Sequence, residues 1–89
     1  MSNYELSFRA EILLEKGAAV LGDIFRYNLQ NSVEVEDKTH PMNALYSVVW
    51  DAKQDILAAN TIEQLHDIDI CFNTAKAVLD KIGDNNDGI

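Results

Sequence analysis

Residues 13–25 read LLEKGAAVLGDIF, and this stretch holds more apolar and small side chains than one face of a surface helix needs. Its residues fall at helical spacing on two adjoining stripes: Leu13, Gly17, Val20 and Ile24, and beside them Leu14, Ala18, Leu21 and Phe25. Such an arc is wider than contact with one partner helix requires. The segment predicts a long helix 1, from about residue 4 to 30, that packs against more than its own chain.

Helical periodicity resumes after a polar loop, residues 31–40, and again after a corner near residue 60. Pro41 suits the first position of helix 2, where its missing N–H costs nothing, and Thr39 or His40 would cap that helix. Helix 2 should span about 41–59. Ser2 with Glu5 resembles a capping box at the start of helix 1.

A third helix is predicted over about 62–82, followed by a frayed tail at 83–89. Its capping box would be Asn60 with Glu63, or Thr61 with Gln64, and Gly83 would be its C-terminal cap. Its apolar residues repeat at alternating spacings of three and four: Leu65, Ile68, Phe72, Ala75, Leu79 and Ile82. This spacing is typical of packing in a helical bundle.

The expected fold is therefore a single all-α domain, with a long helix 1 across an antiparallel hairpin of helices 2 and 3. A chain of 89 residues buries only about 60–65% of its unfolded surface, and with Cys71 as its one cysteine it forms no intramolecular disulfide. A symmetric homodimer would enlarge the thin core. Its predicted interface consists of Leu14, Gly17, Ala18, Leu21 and Phe25. The alternative is a monomeric bundle.

Acidic residues outnumber basic ones by 15 to 7, for a net charge of -8. The basic residues are spread singly, so we do not expect direct nucleic-acid binding. An acidic surface suits a protein partner with a basic surface, or simply solubility. The candidate partner-binding acidic face consists of Glu34, Glu36, Asp37, Asp51, Asp55, Glu63 and Asp67.

Sites for chemistry are not expected. His66 and Asp69 have the helical spacing of metal ligands, but a third ligand is missing because Cys71 falls on the apolar side of helix 3. The tail sequence DNNDG lacks the sixth-position glycine and twelfth-position glutamate of an EF-hand. A domain this small also lacks walls for a deep pocket. We therefore predict no enzyme activity, no cofactor, no metal and no catalytic residue.

The location expected from the sequence is the cytoplasm. No run of about 18 apolar residues predicts a membrane span. The first residues, MSNYELSF, have neither the basic nor the apolar region of a secretory signal. A lone cysteine fits a reducing compartment.

Part of the chain resembles the YmgB/AriR family of small regulators of biofilm formation and acid resistance. The resemblance lies in LLE at 13–15, AVLG at 19–22, Val35 and Lys38, and in DILAANTI at 55–62. It implies a small helical homodimer without enzyme activity that connects to a two-component phosphorelay. DNA binding has been proposed for some members, but the acidic charge here argues against it.

The sequence thus indicates a small acidic regulatory protein that acts by stoichiometric protein binding, as a connector of the YmgB/AriR type. The alternative is a phage- or plasmid-encoded inhibitor, resembling an anti-CRISPR protein or a DNA mimic. Such an inhibitor would block a host nucleic-acid-binding protein or regulator through its acidic helical faces.

Overall fold

The computed structural model describes residues 3–87, with the side chains of residues 4–83. Over this range the chain forms three helices, α1 (Asn3–Gln30), α2 (Pro41–Ala58) and α3 (Ile62–Asp87), and no strand. The predicted all-α, three-helix domain is confirmed. No helix in the described range is long and apolar enough to cross a membrane.

The three helices contact one another pairwise in an elongated bundle of 50 × 24 × 16 Å. The α2–α3 hairpin is joined by a tight corner at residues 59–61. Helix α1 lies lengthwise along this hairpin and parallel to α3. Its residues 9–13 face 62–69 at one end, and its residues 23–30 face 79–83 at the other.

The core lies along the common axis of the three helices and consists of apolar residues from all three. Its buried members are Leu13, Val20, Leu21, Ile24, Met42, Val49, Ala52, Ile56, Leu65, Ile68, Phe72, Ala75 and Leu79. Ile82 packs against this cluster while partly buried. Val48 is 53% exposed, because Val49 occupies the core position and neighbouring helical residues point about 100° apart.

The helix starts use two of the predicted caps. His40 caps α2, because its Nδ1 accepts a hydrogen bond from the Met42 N–H at 3.1 Å. At the start of α3, Gln64 N–H donates to Thr61 Oγ1 and Thr61 N–H donates to Gln64 Oε1, both at 3.2 Å. This is the Thr61–Gln64 capping box. The Ser2–Glu5 box lies outside the described residues.

The end of α3 differs from the prediction. We expected the helix to end at Ile82 with Gly83 as its cap, but α3 continues to Asp87. A C-terminal glycine cap needs a positive φ angle, and none of the described glycines has one. Gly83 therefore continues the helix rather than ending it.

Gly17 explains part of the small-residue stretch in α1. A Cβ atom added to it would lie 2.8 Å from Cζ of Phe72, whose side chain is fully buried. Gly17 therefore leaves space in α1 for the tip of the Phe72 ring, which belongs to α3 of the same chain. Gly22 has open space around it, since a Cβ there would meet nothing within 4 Å.

Candidate protein-binding surfaces

The acidic residues singled out from the sequence are all exposed, but they do not form one face. Glu34, Glu36 and Asp37 lie in the loop at one end of the bundle. Asp55 lies on α2, and Glu63 and Asp67 on α3, near the corner at the opposite end. Helix α2, about 27 Å long at 1.5 Å per residue, separates the ends. The candidate acidic residues are therefore divided between the two ends of the bundle, because the length of α2 lies between them. Whether they bind a partner stays a prediction.

The corner end brings carboxylates from two helices around shared clefts. Asp55 and Asp67 line one cleft between α2 and α3, together with Gln64 and Ile68. Glu63 and Asp67 line a second cleft, between α1 and α3. Asp51 stands one turn before Asp55 on α2 and is also exposed. We call Asp55, Glu63 and Asp67 the corner acids.

The cleft between α1 and α3 is the larger of the two, at about 650 Å³. Ile12 and Leu13 form part of its apolar wall, and Arg9 and His66 stand at its edge. Nearby, Lys16 Nζ lies 2.5 Å from Asp69 Oδ1, so this carboxylate is already paired. No ion pair engages Glu63 or Asp67 among the described side chains. Their charges are therefore directed to solvent or to a partner.

Glu34, Glu36 and Asp37, which we call the loop acids, lie in the loop of successive turns between α1 and α2. Asp37 Oδ1 accepts hydrogen bonds from Thr39 Oγ1 at 2.5 Å and from Thr39 N–H at 3.1 Å. The side-chain bond from Thr39, followed by its backbone bond, lowers the pKa of the fully exposed Asp37 below its usual value. The two bonds from Thr39 therefore favour the charged form of the Asp37 carboxylate, which accepts both of them within the turn.

An apolar stripe on α1 was missed in the sequence. Tyr4, Phe8 and Ile12 are 82%, 57% and 49% exposed, and their spacing of four places them along one outward face of the helix. Ile12 also borders the cleft that Glu63 and Asp67 line. The signal was present as a third set of apolar residues at helical spacing. We call these three residues the apolar stripe.

The residues predicted to form a dimer interface are divided between the core and the surface. Gly17 and Leu21 are buried within the chain, and Leu14 packs against the core while partly buried. Ala18 and Phe25 are exposed, Phe25 by 52%. These last two remain accessible to a second copy.

Side chains that could ligate a metal do not gather in the described part of the chain. No cluster of three or more His, Cys, Asp or Glu side chains there is placed to hold a metal ion. His66 and Asp69 line the same cleft, but Asp69 is bonded to Lys16. Cys71 is a free thiol that packs against the core.

Comparison with models of protein families identifies the family of this chain. The family model of the bacterial epsilon antitoxin matches residues 2–82, a range that includes α1, α2 and most of α3. Searches of curated proteins and of solved structures found no match.

The resemblance to the YmgB/AriR family is therefore wrong. Leu13, Val20 and Leu21, which carried much of it, are core residues of an amphipathic helix. Many helical bundles need the same residue types at such positions. The match over residues 2–82 places this chain in the bacterial epsilon antitoxin family.

Proposed function

We propose that the protein is the antitoxin of a toxin–antitoxin pair and neutralises a toxin protein by binding it stoichiometrically. The observation that carries this proposal is the family match over residues 2–82. It favours the inhibitor alternative over a signalling connector. We infer that the protein acts by occupying a surface of its partner, without catalysis of its own. The free thiol of Cys71 suits a cytoplasmic location.

The corner end has the features of a protein interface. Stable interfaces combine an apolar centre with a polar rim. The apolar stripe supplies exposed aromatic and aliphatic surface. Glu63 and Asp67 lie around the cleft that they share with Ile12, and Asp55 lines the neighbouring cleft between α2 and α3. The net charge of -8 favours a toxin with a basic surface. The loop acids form a second acidic region at the other end.

Co-expression tests the proposed function. The toxin alone should arrest bacterial growth, and co-expression of this protein should restore it. The matched control is the variant Phe72→Asp. This substitution places a charge in the core and should unfold the protein, so the binding surface is lost while the expression signals stay the same. Growth arrest that persists despite abundant folded protein would exclude the antitoxin role.

Neutralising the corner acids should slow association with the toxin. The variant Asp55→Asn, Glu63→Gln, Asp67→Asn should lower the association rate constant roughly 10-fold at about 50 mM salt, since opposite charges accelerate encounter by this order or more. The difference should shrink at about 500 mM salt, where exposed charges are screened. Stopped-flow or surface-based kinetics measures both rates.

Two controls locate the interface. Glu34→Gln with Glu36→Gln removes charge at the loop end and should slow association less than the corner variant. Tyr4→Ala with Phe8→Ala should act mainly on the dissociation rate, because apolar contacts determine how long a complex lasts. Equal rate losses from loop and corner variants would contradict a corner interface.

We further propose that two copies associate through the outer flank of α1, around Ala18 and Phe25. Both side chains are exposed, and Leu14 beside them is partly buried. Gly17 and Leu21 would support this surface from the core. A dimer would cover apolar surface that a bundle of this size leaves in water.

Sedimentation of the free protein tests this association. We expect a species of twice the 10.0 kDa chain mass at micromolar concentration. Phe25→Asp should shift it to the monomer without unfolding, whereas Ile70→Asp, at an exposed position on α3, should leave the dimer intact. A wild-type protein that sediments as a monomer would disprove the proposed dimer.

A further inference from the structure

Asn28 and Asn43 form a polar pair within the otherwise apolar contact between α1 and α2. Asn28 is 5% exposed, and its Nδ2 donates a hydrogen bond to Oδ1 of Asn43 at 3.0 Å. Its own Oδ1 is buried and finds no partner among the described residues. A buried polar group without a partner is unfavourable for stability. Packing energy alone therefore does not account for asparagine at position 28.

Asn43 continues the pair into the loop. Its Nδ2 donates to the carbonyl oxygens of Glu34 and Asp37, each at 2.8 Å. The two amide hydrogens thus serve two loop carbonyls, while Oδ1 accepts from Asn28. A flipped Asn43 amide would place its oxygen against two carbonyl oxygens, so the network allows one orientation.

The two carbonyls that Asn43 binds are also the acceptors of the turns in the loop. Asp37 N–H donates to Glu34 O at 3.1 Å, and His40 N–H donates to Asp37 O at 3.2 Å. Asn43 therefore joins two successive turns and ties them to the first turn of α2. Asn28, held in the core, supports this orientation of the Asn43 amide by donating a hydrogen bond to its Oδ1.

We propose that Asn43 is a positioning residue that holds the loop at 31–40 in one conformation, with Asn28 as its buried support. The two asparagines thereby fix the directions in which Glu34, Glu36 and Asp37 project. That these carboxylates meet a toxin rests on the proposed function. The role of Asn43 in holding the loop does not rest on that function, and it can be measured in the free protein.

Amide hydrogen exchange of the full chain tests the positioning role. Asn43→Asp keeps an oxygen acceptor for Asn28 and removes both donors to the loop. The amides of Asp37 and His40 should exchange roughly 10-fold faster, the factor that corresponds to about 1.4 kcal/mol. Core amides of α3, such as that of Leu65, should keep their rates. Asn73→Asp, which adds the same charge at an exposed position of α3, should change neither set.

Three results would overturn the inference. The loop amides could keep their wild-type rates in Asn43→Asp. Loop and core amides could accelerate by the same factor, which would mean that the loop is not held separately. In the wild-type protein, Asp37 and His40 could exchange as fast as an unstructured peptide, and this measurement decides even if the variant does not fold. A loop that opens without loss of toxin affinity would instead count against a binding role for the loop acids and leave the role of Asn43 intact.

Discussion

Truncation of Phe72 to alanine is expected to lower the free energy of unfolding by about 3–5 kcal/mol, the usual range for a buried aromatic side chain. The Phe72 side chain is fully buried, and the tip of its ring contacts α1 at Gly17. Domains of this size have roughly 5–15 kcal/mol in total. The change would therefore remove a large part of the stability, as urea denaturation at fixed protein concentration would measure.

Ile70→Ala is the matched control for this truncation. Ile70 lies on the same helix but is 49% exposed, so its truncation removes far less buried surface. Its effect should stay below about 1 kcal/mol, as is usual at surface positions. Equal losses from the two variants would mean that Phe72 does not occupy the centre of the core.

Gly17 and Gly22 should respond in opposite directions to the same substitution. Gly22→Ala should stabilise the protein by up to about 1 kcal/mol, because alanine is the better helix former and nothing lies within 4 Å of its new Cβ. Gly17→Ala gains the same helix propensity but places Cβ 2.8 Å from the Phe72 ring. The strain of overpacking is about 1–3 kcal/mol, so the net effect should be destabilising.

The difference between the two glycine variants isolates the contact with Phe72. Helix propensity cancels in the comparison, and the remaining difference of about 1–3 kcal/mol is the strain at position 17. Thermal or urea unfolding of both variants measures this difference in the free energy of unfolding. If Gly17→Ala were as stabilising as Gly22→Ala, then α1 and α3 would not approach closely at Gly17.

The fold was predictable where it depends on local spacing. The repeat from Leu65 to Leu79 in α3 identified its buried face, and Pro41 marked the start of α2. Which residues meet across the bundle was not predictable. Spacing assigned Gly17 to a face of its helix but does not name the partner that it contacts. The sequence suggested a second copy, whereas the structure shows Phe72 of the same chain.

The binding surfaces were predictable in part. Exposure of the acidic residues followed from their charge, but their division between two ends depends on helix direction and loop length. Asn28 offered a signal that was missed, because a polar residue four positions after Ile24 lies on an apolar stripe. Asn43 offered none, since asparagine near a helix start is ordinary. Much of the misassigned family resemblance rested on Leu13, Val20 and Leu21, residue types that many helical cores require at such positions.

Titration of the purified toxin with this protein tests the central claim most directly. If the protein is the antitoxin, toxin activity should fall in proportion to added protein and reach zero at a fixed stoichiometric ratio, with both chains in one complex by sedimentation. Full toxin activity in the presence of excess folded protein, with no complex, would contradict it.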